Sequence, residues 1–264
     1  MPVYQSEALI LRTYKLGEAD RIVVFLTKDR GKKRGVARGA RRPRSRFTGA
    51  LEPLTRADVA YFERELRDLV RINYVEPVRS PLSGLDASAT DVTLGHVGYF
   101  AELIDEWAPE AHADERLYRL GAAVGEALTD GAPVDRLARY FEFWLLRLQG
   151  VYPGLTACPA CGGAFDGGAV MPPREEAYVC RRCAPAAGGT TLSIDALRFL
   201  RDAALAAPAQ MASLTLTSPA GRELQTAHGR LIGLHLEKDL KSARVLRAMG
   251  ADRPFESGSR TPPA

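Results

Sequence analysis

Along the first eighty residues the apolar positions come in short runs, at 8–11, 22–26, 50–54, 58–62 and through 66–75, broken by turn formers such as Asp29, Arg30 and Gly31. Runs of this length and spacing predict strands, and several short strands in succession predict a small barrel or sandwich. Residues 22–26 contain no polar position, so both faces of that strand need apolar company: the barrel interior on one side, a neighbouring domain on the other. Around Gly35, strict alternation places Arg34, Val36 and Arg38 on one face unless a bulge at Gly35 or Gly39 breaks it.

After residues 81–84 the period changes to that of helices. One is predicted from a cap at Thr90 or Asp91 to Trp107, a second over 115–128, and a third from Pro133 to just before Gly150. In the third, Leu137, Phe141, Trp144, Leu145 and Leu148 recur on one face, which reads as core. Further helices are predicted over 194–205 and, as one long segment, over 222–249. Residues 251–264 are rich in Arg, Pro, Gly and Ser, have little to bury, and are predicted to be a disordered tail. The chain therefore reads as α+β and multidomain: a β domain over 1–80 and a helical domain over 81–250, with no internal repeat.

Charge sharpens this picture. Of the nineteen residues 28–46, ten are basic and only Asp29 is acidic, a local charge of +9 in a chain whose formal total is +4; everything else must sum to −5. The cations are concentrated at one address, and repulsion among them is relieved when a polyanion binds and sheds its counterions. Lys32, Lys33, Arg34, Arg38, Arg41, Arg42, Arg44 and Arg46 are the predicted phosphate contacts, against the plainer reading of a solvated charged loop. Tyr14, Phe47, Tyr61 and Tyr74 are candidates to stack on bases, with a barrel-core role the alternative for each.

Cys158 and Cys161 are separated by two residues, as are Cys180 and Cys183, with eighteen residues between the pairs. Each pair can reach one tetrahedral ion, and the intervening stretch is long enough for a hairpin to present the second pair. This predicts one structural Zn(II) per chain in an insert at about 155–190, in preference to disulfides, a redox dithiol or an iron–sulfur cluster. Four thiolates and one Zn(II) carry −2, which lowers the chain total to +2 and makes the insert a poor second polyanion site despite Arg181 and Arg182. Gly162 and Gly163 suit the tight turn of the first knuckle.

Several chemistries are missing. There is no G-x-x-x-x-G-K-[ST], G-x-G-x-x-G or G-x-S-x-G, and none of His96, His112, His228 or His235 is followed two positions on by the Glu of a zinc deaminase. His228 and His235 read as core or surface packing, and no carboxylate spacing singles out a nuclease. No run approaches the ~18 apolar residues of a membrane span, and the N-terminus lacks signal-peptide character, so the expectation is a cytoplasmic protein that binds no membrane.

Taken together, residues 7–12 and 17–20, the stretch 35–47 with 49–53 behind it, Phe141, Glu142, Leu145, Leu146, Gly150, Pro153, Leu155 and Thr156 leading into Cys158, and the Lys241–Ser242 pair resemble the bacterial RecO family of DNA repair and recombination proteins. The resemblance covers about residues 3–248. It implies an N-terminal OB-fold β-barrel followed by an α-helical domain carrying a four-cysteine zinc-finger insert. It also implies a non-enzymatic mediator, nucleoid-associated, that binds single- and double-stranded DNA and anneals complementary strands. Its implied partners are RecR, single-strand-binding protein and, indirectly, RecA, which it helps to load. The competing readings are a zinc-ribbon RNA-binding or transcription-associated adaptor and a metal-dependent nuclease.

Overall fold

In a computed structural model that describes residues 3–63, 69–83, 91–110, 112–236 and 238–251, the N-terminal strands are β1 (Val3–Leu16), β2 (Asp20–Thr27), β3 (Gly31–Ala37), β4 (Arg56–Phe62) and β5 (Val70–Arg79). They pair in the order β1-β2-β3-β5-β4, and β4 returns to β1, which closes the barrel. All pairs are antiparallel except β3–β5, which meet in parallel at Gly35↔Val70 and Val36↔Arg71. The two-sided apolar strand behaves as its sequence requires. Val23 and Phe25 point into the barrel with Ile10, Val59, Tyr61 and Ile72, while Val24 and Leu26 point out and join Leu9 in the core of the helical region. No bulge interrupts the β2–β3 pairing; register shifts lie instead between Ile10 and Arg12 of β1 and at two places in the β4–β5 pairing.

Residues 50–54, expected as a strand, are instead part of a chain of turns between β3 and β4. They are apolar because Ala50 and Leu51, with Phe47, plug the barrel, and Leu54 reaches the helical core. The strand expected through 66–75 runs over Val70–Arg79, and residues 64–68 lie outside the described residues. The disordered tail expected after 251 also lies outside them, as does Thr90.

Three helices follow: α1 (Asp91–Trp107), α2 (Glu115–Thr129) and α3 (Val134–Leu148). Asp114 caps α2 by accepting from the Leu117 amide at 2.9 Å, and Pro133 and Gly150 (φ +72°) bracket α3. A small sheet of β6 (Ala169–Met171), β7 (Val179–Cys180) and β8 (Thr190–Leu192) then precedes α4 (Ile194–Ala203), α5 (Ser218–Leu236) and α6 (Lys241–Ala251). The single helix expected over 222–249 is thus two. The break is made by a residue distant in sequence: Glu102 of α1 accepts from the amides of Lys241 (3.2 Å) and Ser242 (2.8 Å) and from the Ser242 hydroxyl, capping α6. Burial alone raises the Glu102 pKa, but these donors and Arg12 outweigh it and hold the carboxyl below the ordinary value, so the cap is charged. His228 is fully buried between Glu142 (3.0 Å) and the Tyr152 hydroxyl (3.2 Å), the packing role expected of it.

Barrel and helices meet along a polar seam. Lys32 of β3 is only 7% exposed; its Nζ donates to the Asp105 carbonyl at 2.6 Å and lies 3.3 Å from the Asp105 carboxylate. Arg12 of β1 reaches the same carboxylate (3.5 Å) and Glu102 (3.7 Å). The turn before Lys32 is equally constrained, since Gly31 has φ +71° and a Cβ there would lie 2.5 Å from the His112 carbonyl oxygen. Lys32→Met removes the buried charged donor to the Asp105 carbonyl and leaves only Arg12 on the carboxylate, so it is expected to lower the unfolding free energy by about 2 kcal/mol in urea denaturation.

Candidate nucleic-acid interface and metal centre

The predicted phosphate contacts divide into two groups once folded. Lys32 is a correction: it is buried against Asp105 and cannot reach a ligand. Lys33, on the inward face of β3, is half-buried and paired with Glu63 at 2.8 Å, while Arg34 is exposed but shares Glu110 with Lys32, at 3.1 and 3.4 Å. Arg38, Arg41, Arg42, Arg44 and Arg46 are all exposed, and among the described residues no carboxylate lies within ion-pair distance of any of them.

These five arginines sit on the turns after β3. Successive i→i+3 hydrogen bonds, from the amides of Arg42, Ser45 and Thr48 to Gly39, Arg42 and Ser45, wind the segment compactly. Asp20 accepts from the Gly39 amide at 2.8 Å, and Arg41 donates to the Gly17 carbonyl at 2.7 Å while its amide bonds Ala19. The segment is thereby held against the β1–β2 turn. Arg44 has φ +59°, a backbone state that disfavours any side chain by roughly 1–2 kcal/mol. Glycine would be easier there, and the chain keeps a cation.

Of the stacking candidates, Phe47 and Tyr61 are buried inside the barrel and cannot meet a base; Tyr74 is half-buried. Tyr14 is 46% exposed. The register lines it up with Ile22, Val36 and Arg71 across four strands, and Arg12, Val24 and Arg34 form the next row. Tyr14, Ile22 and Val36, with exposed Arg71 at the end of their row, make a surface on which bases can lie and a phosphate can pair, whereas Arg12 and Arg34 are engaged by carboxylates and Val24 is buried against the helices. Arg71 was missed because its place beside Val36 depends on the parallel β3–β5 pairing, for which the local sequence carries no signal.

The four cysteines converge as their spacing demands. Their sulfur atoms all lie within 4.8 Å of one another, and Cys161 and Cys180 are 3.7 Å apart. A tetrahedron with ~2.3 Å metal–sulfur arms has edges of ~3.8 Å, so the donor set fits a divalent ion. The Cys180 amide donates to the Cys158 sulfur at 3.3 Å, and this bond above all pushes the Cys158 thiol down to about 6. Cys183, sharing protons with the neighbouring sulfurs of Cys161 and Cys180, is pushed up to about 12. Four sulfurs this close cannot all ionise unaided, and a divalent cation removes the conflict. Gly162 (φ +69°) makes the knuckle turn, its amide bonding Cys158. Arg230 of α5 clamps the insert by donating to the carbonyls of Met171 (3.1 Å), Pro172 (2.6 Å) and Glu175 (2.9 Å).

With this geometry in place, comparison with known proteins is specific. A family model described as Recombination protein O N terminal matches residues 1–81, and one described as Recombination protein O C terminal matches residues 92–244. A protein named DNA repair protein RecO from Koribacter versatilis is 35% identical over 243 residues, covering 92% of this chain and 97% of the relative. Its namesake from an Anaeromyxobacter species is 37% identical over 251 residues (92% and 95%), and that of Geobacter sulfurreducens 35% over 252 residues (93% and 98%). No described helix is long and apolar enough to cross a membrane.

The metal centre yields its own test. Purified protein is expected to carry one equivalent of a thiolate-preferring divalent ion, and Cys158→Ser to lower both metal content and melting temperature. Elemental analysis and thermal denaturation measure the two directly.

Proposed function

This chain belongs to the RecO family, and on that premise we propose that it is a non-enzymatic mediator of DNA repair and recombination that binds DNA through the barrel and anneals complementary strands. The observation that carries the reading is the set of five exposed arginines, Arg38, Arg41, Arg42, Arg44 and Arg46, none of which has a carboxylate within ion-pair distance among the described residues. The strand order and the parallel β3–β5 closure support an OB fold, whose outer β2–β3 face and adjoining loops commonly track nucleic acid. Lys33 and Arg34 are secondary contacts in this reading, because each would first have to leave a carboxylate.

Annealing needs no nucleotide. Neutralising phosphates lowers the repulsion that opposes the encounter of two strands, and base pairing supplies the free energy. Phosphate contacts position DNA without reading it, so sequence preference should be slight. The metal held by Cys158, Cys161, Cys180 and Cys183 is zinc, which with four protein ligands contributes folding energy to the insert. RecR, single-strand-binding protein and, indirectly, RecA are the proposed partners, on nucleoid DNA in the bacterial cytoplasm.

Replacing Arg41, Arg42, Arg44 and Arg46 by Glu should abolish most affinity and flatten the salt dependence by ~0.7 in log–log slope per lost single-strand contact. Fluorescence anisotropy across a salt series measures both, and parental binding by the variant would exclude this segment. Annealing without ATP, followed by quenching between labelled complementary oligonucleotides, should fall in parallel. Arg44→Gly separates function from folding: relief of the left-handed backbone leaves stability unchanged or raises it by up to ~1 kcal/mol, while affinity drops by one phosphate contact.

A further inference from the structure

A second group of cations lies apart from the barrel. Helix α6 carries Lys241, Arg244 and Arg247, all exposed, and no acid anywhere in its sequence; among the described residues none of the three has a carboxylate at ion-pair distance. Asp239 precedes the helix, and neighbouring Lys238 is already paired with Glu106. Two of the cations occupy the first turns of α6, whose N-terminal amides are taken up by the Glu102 carboxylate, and the last turn has none.

The helix is also rigidly mounted. Glu102 caps it, and Leu246 packs so close to α1 that a Cβ on Gly95 would lie 2.7 Å away. Between α6 and the barrel runs the seam in which Arg12, Lys32 and Arg34 are matched by Glu102, Asp105 and Glu110. Three cations meet three carboxylates, so the seam is internally neutral and divides the basic surface in two.

We propose that Lys241, Arg244 and Arg247 form a second phosphate-binding surface, which holds a second nucleic-acid strand while the barrel loop holds the first. This rests on the DNA-binding reading above and extends it: annealing by one protein copy requires a place for each strand, and the neutral seam keeps the two places distinct. The spacing suits a backbone, since α6 is about 16 Å long and its cations recur at intervals of three residues, ~4.5 Å along the axis.

The test uses the full chain with Lys241→Gln, Arg244→Gln and Arg247→Gln combined, which leaves Ser242 and the Glu102 cap in place. Parent and variant are immobilised and saturated with a short unlabelled oligonucleotide, and a labelled non-complementary oligonucleotide is then offered at low salt. The variant should bind the first strand within twofold of the parent, capture the second at least fivefold less, and anneal correspondingly more slowly. Its melting temperature should stay close to the parent's, because the three side chains are exposed and the Glu102 cap bonds backbone amides and Ser242. Capture of the second strand at the parental level would overturn the proposal and leave α6 free for an acidic protein partner. Equal losses of first and second strand would overturn it too, by merging α6 with the barrel site. A parent that binds no strand would fail the DNA reading itself, and this inference with it.

Discussion

Lys32 sits in the most charged stretch of the chain yet is withdrawn from solvent, and its ammonium bridges the barrel strand β3 and the C-terminal half of α1 through the Asp105 carbonyl and carboxylate. The arrangement decides the orientation of everything around it. Leu26 and Leu9, its neighbours across the sheet, are buried against the helices, whereas two residues further along β3 Arg34 is exposed, and at Arg38 the strand has left the seam. A buried pair of this kind is a weak net stabiliser but penalises misalignment heavily, because a shift strands a charge. The seam therefore fixes register between barrel and helices more than it adds to their attraction. It also leaves the arginines after β3 projecting from the uncovered end.

What the sequence revealed followed from locality. The cysteine knuckles, the cation run, and the helix bracketed by Pro133 and Gly150 are defined by residues a few positions apart, and each appears where its spacing indicated. The uninterrupted apolar run 22–26 disclosed something larger, a strand wanted on both faces, and so announced the interface between barrel and helices before any partner was known. The errors came from contacts that sequence separation hides. Residues 50–54 look like a strand because burial and strand pairing demand the same apolar side chains; only the barrel mouth distinguishes them. The break before α6 depends on Glu102, about 140 positions away, and the burial of Lys32 on Asp105, 73 positions away. Charge density suggested that Lys32 was a ligand contact; register made it structural.

The insert shows the complementary case, in which local chemistry compensates for missing bulk. Its sheet has strands of two or three residues, too short to bury a core of its own. Stability has to come from the sulfur cluster and from packing on the helices, where Tyr178 and Met171 are fully buried and Arg230 holds three carbonyls. An ion held by all four sulfurs would have no position left for substrate, so its contribution would be confined to folding.

A mediator must also let go. In the proposed reading, phosphate contacts from the five exposed arginines would give a log–log salt slope of about 3.5, so a fourfold rise in salt would weaken binding by roughly a hundredfold. Exposed contacts of this type are individually weak and strongly screened. Burying the arginines in ion pairs, as at Lys32, would secure the fold but remove this sensitivity; spreading them over a rigid outer face keeps each contact separately breakable. The division of labour along one strand, with a lysine locked into the seam and arginines left open beyond it, thus gives firm positioning of the surface and, in the proposed reading, would give a reversible hold on what lies across it.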